Sequence, residues 1–140
     1  MVVSNHSVTV IIPSVRNHEE LDIVLKGLSN QTYSGPCEIV VVGPTNDPGK
    51  KICEKNNIQF IDDEGSRTRA DACNIAINGT ESELILFTDD DVIVPNDWVE
   101  KLVSWFSIEE VSGVGGPNFA PVKESTMWQQ VIDVAFCSTI

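Results

Sequence analysis

Short apolar segments alternate with helix-forming segments along this chain of 140 residues, and the alternation limits the possible folds more than any other feature. Segments predicted to form strands are Val8–Ile12, Cys37–Val42, Ile58–Ile61, Leu84–Phe87 and Val111–Val114. Strands that alternate with helices predict an α/β fold with a parallel sheet and right-handed crossover connections. The length, with no internal repeat and no dividing linker, predicts one domain over residues 1–140.

Helix signals lie between these apolar segments. Asn17 and Glu20 have the spacing of a capping box. The helix that follows is predicted to bury one face, formed by Leu21, Val24, Leu25 and Leu28. A second helix is predicted to begin at Asp47-Pro48, and a third at Ser66 or Thr68. Further helices are predicted after Asp97 and over residues 127–136.

Three consecutive aspartates, Asp89, Asp90 and Asp91, directly follow the fourth predicted strand. That strand is apolar enough to be buried on both faces, and open α/β sheets bind ligands at the carboxyl ends of their strands. Carboxylates this close repel one another and favour a hard cation, Mg²⁺ or Mn²⁺, shared with substrate phosphates. The alternative is a solvated turn with no ligand.

The loop after the first strand is predicted to face the same edge of the sheet. It contains Ser14 and Arg16, which have the chemistry to contact a ribose or a base. The alternative for both positions is a structural role in the turn and helix cap, where serine in particular is common.

Two arginines, Arg67 and Arg69, stand near the predicted start of the third helix. Backbone N–H groups and the helix dipole favour anions there, and guanidinium groups match phosphate oxygens. The alternative is that these arginines pair with the nearby surface carboxylates, which are Asp62, Asp63 and Glu64.

Charge and missing motifs exclude several classes of protein. A net charge of −12 argues against non-specific nucleic-acid binding, which depends on Lys and Arg. The sequence contains no GxxxxGK[ST] loop, and no GxGxxG follows the first strand, which argues against a P-loop NTPase and a standard dinucleotide site.

The N-terminal segment and the cysteines predict the cellular compartment of the protein. Met1–His6 lacks the basic region of a signal peptide, and no apolar run reaches about 18 residues. Four cysteines without CxxC spacing predict buried or free thiols in a reducing compartment. We therefore expect a cytoplasmic protein, or one at the cytoplasmic face of a membrane if the full-length protein carries an anchor.

Four sequence blocks resemble glycosyltransferase family 2, namely Val8–Pro13, Leu28–Tyr33, Glu38–Val42, and Leu86–Asp91 followed by Pro95 and Trp98. The resemblance covers nearly the whole chain. It implies the GT-A fold, a Rossmann-like, doubly wound, mainly parallel sheet with helices on both faces. It also implies a UDP- or GDP-sugar donor, a saccharide or lipid-linked acceptor, and Mg²⁺ or Mn²⁺ held by a DxD motif.

Carried over by position, the resemblance places Asp89 and Asp91 at the metal, with Asp91 as the more direct ligand. It assigns donor binding to Pro13, Ser14, Arg16, Arg67, Arg69, Asp89 and Asp90. The residue implied to contact the donor from the third helix is Arg69 or Arg67.

The chain departs from the family pattern in two places. Family members usually carry an aspartate at the end of the second strand, which contacts the base or ribose, and this chain has Gly43-Pro44 there. The family's catalytic base has no counterpart before Ile140. We therefore expect the chain to be the N-terminal part of a longer protein, with the base, and any membrane association, in the part that follows.

The sequence is most consistent with a metal-dependent, inverting glycosyltransferase of the hexosyltransferase type. One alternative is a non-catalytic module that binds nucleotide sugars. Another is a sugar-phosphate nucleotidyltransferase, although such enzymes usually have a Gly-rich basic loop where this chain has Ser14–Asn17. A third alternative is a doubly wound domain in which the aspartate triplet has only a structural role and binds no metal.

Overall fold

Within the described residues, four parallel strands and four main helices form the fold. The structure is a computed structural model and describes residues 5–16, 18–66, 68–116 and 126–131. The strands are β1 (Val8–Pro13), β2 (Cys37–Gly43), β3 (Gln59–Asp62) and β4 (Leu84–Phe87). The helices are α1 (His18–Ser29), α2 (Gly49–Lys55), α3 (Arg69–Asn78) and α4 (Trp98–Ser104), and a 3₁₀ turn, Trp105–Ser107, follows α4.

The strands lie in the order β3-β2-β1-β4, and every neighbouring pair is parallel. Val8 of β1 lies opposite Cys37 of β2 and Leu84 of β4, so these three strands begin at the same level. All four carboxyl ends therefore meet at one edge of the sheet. The predicted parallel α/β architecture and the first four predicted strands are confirmed.

The central strand β1 is buried on both faces. Val10 and Ile12 pack on one side with the apolar face of α1, which consists of Leu21, Val24, Leu25 and Leu28 as predicted. Ile11 packs on the opposite side with Ala72 and Ala76 of α3. Successive residues of a strand point to opposite faces, so these two packing clusters place helices on both sides of the sheet.

Two predictions about strands are wrong. β4 lies at the edge of the sheet in the described part of the chain, and it is not buried on both faces: Leu86 is buried, whereas Phe87 is 47% exposed. Val111–Val114 forms no strand. Hydrophobicity marks a segment as suitable for a strand, but only a hydrogen-bonded neighbour makes it one.

Helix starts largely follow the predicted capping chemistry. Thr68 is the N-cap of α3, and its Oγ1 accepts a hydrogen bond from the N–H of Asp71 at 3.1 Å. α2 begins one residue later than expected, with Pro48 at the N-cap, and Asp47 Oδ1 accepts from the N–H of Gly49 at 2.7 Å.

Asn17, the predicted cap of α1, lies outside the described residues. In the segment predicted to be helical at 127–136, residues 127–131 form a helix, and residues 132–136 lie outside the described residues.

The three described cysteines, Cys37, Cys53 and Cys73, are free thiols, as predicted, and Cys137 lies outside the described residues. Burial of Cys53 raises the pKa of its thiol to about 11. This thiol therefore stays protonated at neutral pH and packs in the core as a small apolar group.

The longest helix that the structure describes is α1, with 12 residues. None of the described helices combines the length and the apolar character that crossing a lipid bilayer requires.

Two positions on α1 test how far the fold depends on its buried face. Leu25 is fully buried, whereas Ile23, two residues earlier on the same helix, is 57% exposed. Leu25→Ala is expected to lower the free energy of unfolding by about 2–5 kcal/mol, because it removes core contacts and leaves a cavity. Ile23→Ala should change it by no more than about 0.5 kcal/mol. Urea denaturation of both variants measures the difference, and equal values would contradict the packing of α1.

Candidate functional site

A cleft of about 410 Å³ opens at the edge where the carboxyl ends of the strands meet. Its lining comes from every strand end and from the start of α3: Pro13, Ser14 and Val15 after β1, Val42 and Gly43 in β2, Asp63 and Ser66 after β3, Thr68, Arg69 and Ala72 near the start of α3, and Asp89, Asp90 and Asp91 after β4. This is the edge at which open α/β sheets bind ligands.

The floor of the cleft depends on the close approach of β1 and β2. Ser14 N–H donates to the carbonyl of Val42 at 2.9 Å, which extends the pairing of the two strands beyond β1. A Cβ atom at Gly43 would lie 2.4 Å from the carbonyl oxygen of Ser14. Only glycine therefore allows the two chain segments to meet here without a backbone shift.

The three aspartates have different surroundings. Asp90 is only 8% exposed, and Ser14 Oγ donates to its Oδ2 at 2.6 Å. Asp89 is half-exposed and forms an ion pair with the guanidinium of Arg69. Asp91 is exposed, and its carboxylate has no hydrogen bond or ion pair with any residue the structure describes. Local packing thus gives three identical side chains three different chemical situations.

Arg69 brings a positive charge to the acidic side of the cleft. It is the first residue of α3, directly after the Thr68 cap, and it pairs with Asp89 instead of with Asp62, Asp63 or Glu64. The Arg69 and Asp89 side chains are 57% and 44% exposed, so water screens the pair and it adds little stability. Such a pair opens readily, which leaves both groups available to a ligand.

The aspartates fit a divalent cation that takes most of its ligands from elsewhere. No group of three or more His, Cys, Asp or Glu side chains within the described ranges is arranged to enclose a metal ion. Asp89 and Asp91 instead flank the buried Asp90 at the cleft. One or two carboxylates, with substrate phosphates and water, are the usual ligands of Mg²⁺ in such sites.

The other predicted donor-binding residues have different outcomes. Pro13 and Ser14 line the cleft. Arg16 is exposed and is not part of the lining; its backbone has φ 72°, and its N–H donates to Asp47 Oδ2 at 3.1 Å. Arg67 lies outside the described residues. Roles for these residues in ligand binding stay predictions.

Sequence reasoning assigned Asp63 only a surface pairing role, yet the structure places it, buried, in the cleft. Asp63 directly follows β3, just as the aspartate triplet closely follows β4. The position of a carboxylate after a parallel strand was therefore the signal that would have identified it.

Open α/β sheets bind nucleotides and other ligands at the carboxyl ends of their strands, which is where this acidic cleft lies. The profile of the family described as glycosyl transferase family 2 matches residues 9–137, and the chain belongs to this family. An N-acetylglucosaminyltransferase of Azorhizobium caulinodans is 31% identical over 137 residues. The match covers 92% of this chain and 34% of that relative, so the chain spans about a third of its length.

Solved structures share the fold. Glucosyl-3-phosphoglycerate synthase from Mycobacterium tuberculosis, in complex with Mn²⁺, UDP and glucosyl-3-phosphoglycerate, matches with a TM-score of 0.64 at 14% identity, over 72% of this chain and 39% of that one. The same enzyme with Mn²⁺, UDP-glucose and phosphoglyceric acid matches with a TM-score of 0.62 at 14% identity, over 75% and 41%. The fold of the present chain is therefore that of the GT-A glycosyltransferases, as the sequence resemblance implied.

Gly43 and Gly113 form a matched pair for testing the floor of the cleft. A Cβ at Gly43 would collide with the Ser14 carbonyl, whereas a Cβ at Gly113 would meet no atom within 4 Å. Gly43→Ala is expected to lower the free energy of unfolding by about 1–3 kcal/mol, because the two backbones must separate. Gly113→Ala should stay within about 0.5 kcal/mol of the parent. Thermal or urea unfolding measures both, and a neutral Gly43→Ala would show that the two strands do not meet so closely.

Proposed function

We propose that this chain forms the donor-binding part of a metal-dependent glycosyltransferase, which transfers a sugar from a UDP- or GDP-sugar to an acceptor hydroxyl with inversion. The observation that carries the proposal is the open carboxylate of Asp91 beside the Arg69–Asp89 pair, in a cleft at the carboxyl edge of the sheet. These groups suit a magnesium or manganese diphosphate, which offers both negative oxygens and a cation.

The surroundings of each aspartate suggest a division of roles. Asp91 is exposed and is the most accessible metal ligand, with Asp89 as the second. Asp90 is held by the Ser14 hydroxyl and faces the cleft from a buried position, so it suits a hydrogen bond from the ribose of the donor. Ser14 thereby acts through Asp90, because it fixes the orientation of that carboxylate.

Arg69 has two alternative partners in this proposal. In the structure it pairs with Asp89. With donor and metal bound, Asp89 would be available to hold the cation, and the guanidinium of Arg69 would be available to bind phosphate oxygens. The positive charge then lies where the leaving diphosphate gains negative charge, which is where electrostatic stabilisation lowers a barrier. A bound Mg²⁺ or Mn²⁺ would neutralise the same diphosphate as a Lewis acid.

Transfer to the acceptor needs a further group. An inverting reaction requires a carboxylate that removes the proton of the attacking hydroxyl, and the cleft aspartates are assigned here to the donor. We assign the base to a part of the protein outside the described residues. The acceptor is proposed to be a saccharide or a lipid-linked acceptor. The free cysteines favour the cytoplasm or a membrane surface facing it.

A second candidate function is a module that binds nucleotide sugars without catalysing transfer. The observation that favours it is Gly43-Pro44 at the end of β2, where the family usually has an aspartate for the nucleoside. Both functions require donor binding and differ only in turnover. Sugar transfer by the full-length protein, lost in its Asp91→Asn variant, would exclude the non-catalytic module.

The proposal is tested by titration calorimetry of UDP and GDP with and without Mn²⁺. Asp91→Asn is compared with Asp97→Asn, which removes the same charge from the same β4–α4 connection but outside the cleft. Loss of a residue that merely hydrogen-bonds to a metal ligand typically lowers metal affinity about 10–100-fold. Asp91 is proposed to be a ligand itself, so its loss is expected to weaken metal-dependent nucleotide binding by at least about tenfold. Asp97→Asn should bind like the parent.

Two results would contradict the proposal. The first is an absence of metal-dependent binding of either nucleotide by the parent chain. The second is an equal affinity of the Asp91→Asn and Asp97→Asn variants, since it would mean that the exposed carboxylate of Asp91 holds no metal.

A further inference from the structure

Asp63 is a buried carboxylate of the cleft, and it follows β3, the strand farthest in the sheet from β4. It follows β3 directly and is only 7% exposed. Its N–H donates to the carbonyl of Gly43 at 2.9 Å, which holds it beside the end of β2. Asp63 therefore lies next to Gly43, at the strand end where family members usually carry an aspartate.

Among the residues that the structure describes, only one oxygen of the Asp63 carboxylate has a partner. Oδ1 accepts a hydrogen bond from the N–H of Gly65 at 3.0 Å, which closes the turn after β3. Oδ2 has no hydrogen bond or ion pair with any residue in the described ranges. A buried carboxylate oxygen without a donor is costly, and native structures seldom keep one without a reason. Since Asp63 lines the cleft, a ligand can supply the missing donor.

The strand order indicates which part of a nucleotide sugar would reach Asp63. β3 and β4 are separated by β2 and β1, which places their ends three strand spacings, or about 14 Å, apart. The aspartate triplet follows β4 and suits the metal diphosphate end of the donor. An extended nucleoside diphosphate carries its base at the opposite end, and that end of the cleft contains Asp63.

We propose that Asp63 accepts a hydrogen bond from the imide N–H of a uracil base, and so selects a uridine donor. This inference rests on the proposed function and deepens it, because it chooses between UDP- and GDP-sugars. The open oxygen of Asp63 is an acceptor, and the base-pairing edge of uracil carries a single N–H between two carbonyls. Cytosine has an unprotonated nitrogen at that position and cannot donate there. Guanine presents two adjacent N–H groups, which pair best with both oxygens of a carboxylate side by side, and Oδ1 of Asp63 is already engaged by the N–H of Gly65.

A purely structural role for Asp63 makes a different prediction. Its Oδ1 contact with Gly65 closes a local turn, and asparagine forms the same turn. Asp63→Asn therefore retains the turn while the amide NH₂ group replaces Oδ2. A donor then faces the base in place of an acceptor, which disfavours the uracil N–H and suits the unprotonated nitrogen of cytosine. A structural role would leave base preference unchanged.

The experiment measures binding of UDP, CDP, GDP and 3-methyluridine diphosphate in the presence of Mn²⁺. Wild type is compared with Asp63→Asn and with Glu64→Gln, a control that removes the same charge from the neighbouring exposed residue. Wild type should prefer UDP to the other three nucleotides by about tenfold, the value of one charge-assisted hydrogen bond. Asp63→Asn should weaken UDP binding about tenfold and should reduce or reverse the preference for UDP over CDP. Glu64→Gln should bind all four nucleotides like wild type.

Each other outcome overturns a defined statement. Equal binding of UDP and 3-methyluridine diphosphate to wild type would overturn the role of the imide N–H, and this result does not depend on how any variant folds. Unchanged preference in a folded Asp63→Asn, verified by circular dichroism, would overturn the role of Asp63 while leaving donor binding intact. Failure of wild type to bind any of the nucleotides would instead overturn the proposed function together with this inference.

Discussion

The pairing of β1 with a parallel strand on each side is the constraint on which the rest of the structure depends. β1 lies between β2 and β4, and its buried residues contact helices on both faces of the sheet. Because all of these strands run in the same direction, their carboxyl ends meet at one edge. Groups that are far apart in sequence, such as Ser14 and Asp90, thereby come within hydrogen-bond distance.

Burial at that edge gives chemically identical side chains different surroundings. Asp90 is held in a buried position by a serine hydroxyl, Asp89 is balanced by Arg69, and Asp91 faces solvent. A buried carboxylate needs hydrogen-bond donors from the protein or a ligand. An exposed carboxylate is stabilised by water and can exchange that water for a cation. The same reasoning distinguishes the two oxygens of Asp63, one of which closes a turn while the other faces no described donor.

The match to the family accounts for the fold, and Gly43-Pro44 at the end of β2 departs from the pattern that the sequence resemblance implied. Gly43 permits the close contact of β1 with β2, but it provides no side chain for a nucleoside. The next strand, β3, places a buried carboxylate beside it. The proposed contact of Asp63 with the base would take the place of the side chain missing at the end of β2, because parallel strands present their carboxyl ends side by side.

The sequence by itself determined the order of strands and helices, the apolar face of α1 and the position of the aspartate triplet after β4. These features depend on residue periodicity and on neighbours within a few positions, which can be read along the chain. Only the tertiary structure decided that β1 and not β4 is central, that Asp90 is the buried aspartate, that Arg69 pairs with Asp89, and that Asp63 faces the cleft. The physical reason is that strand order, burial and the partner of each charge are set by contacts between distant segments, which no local pattern encodes.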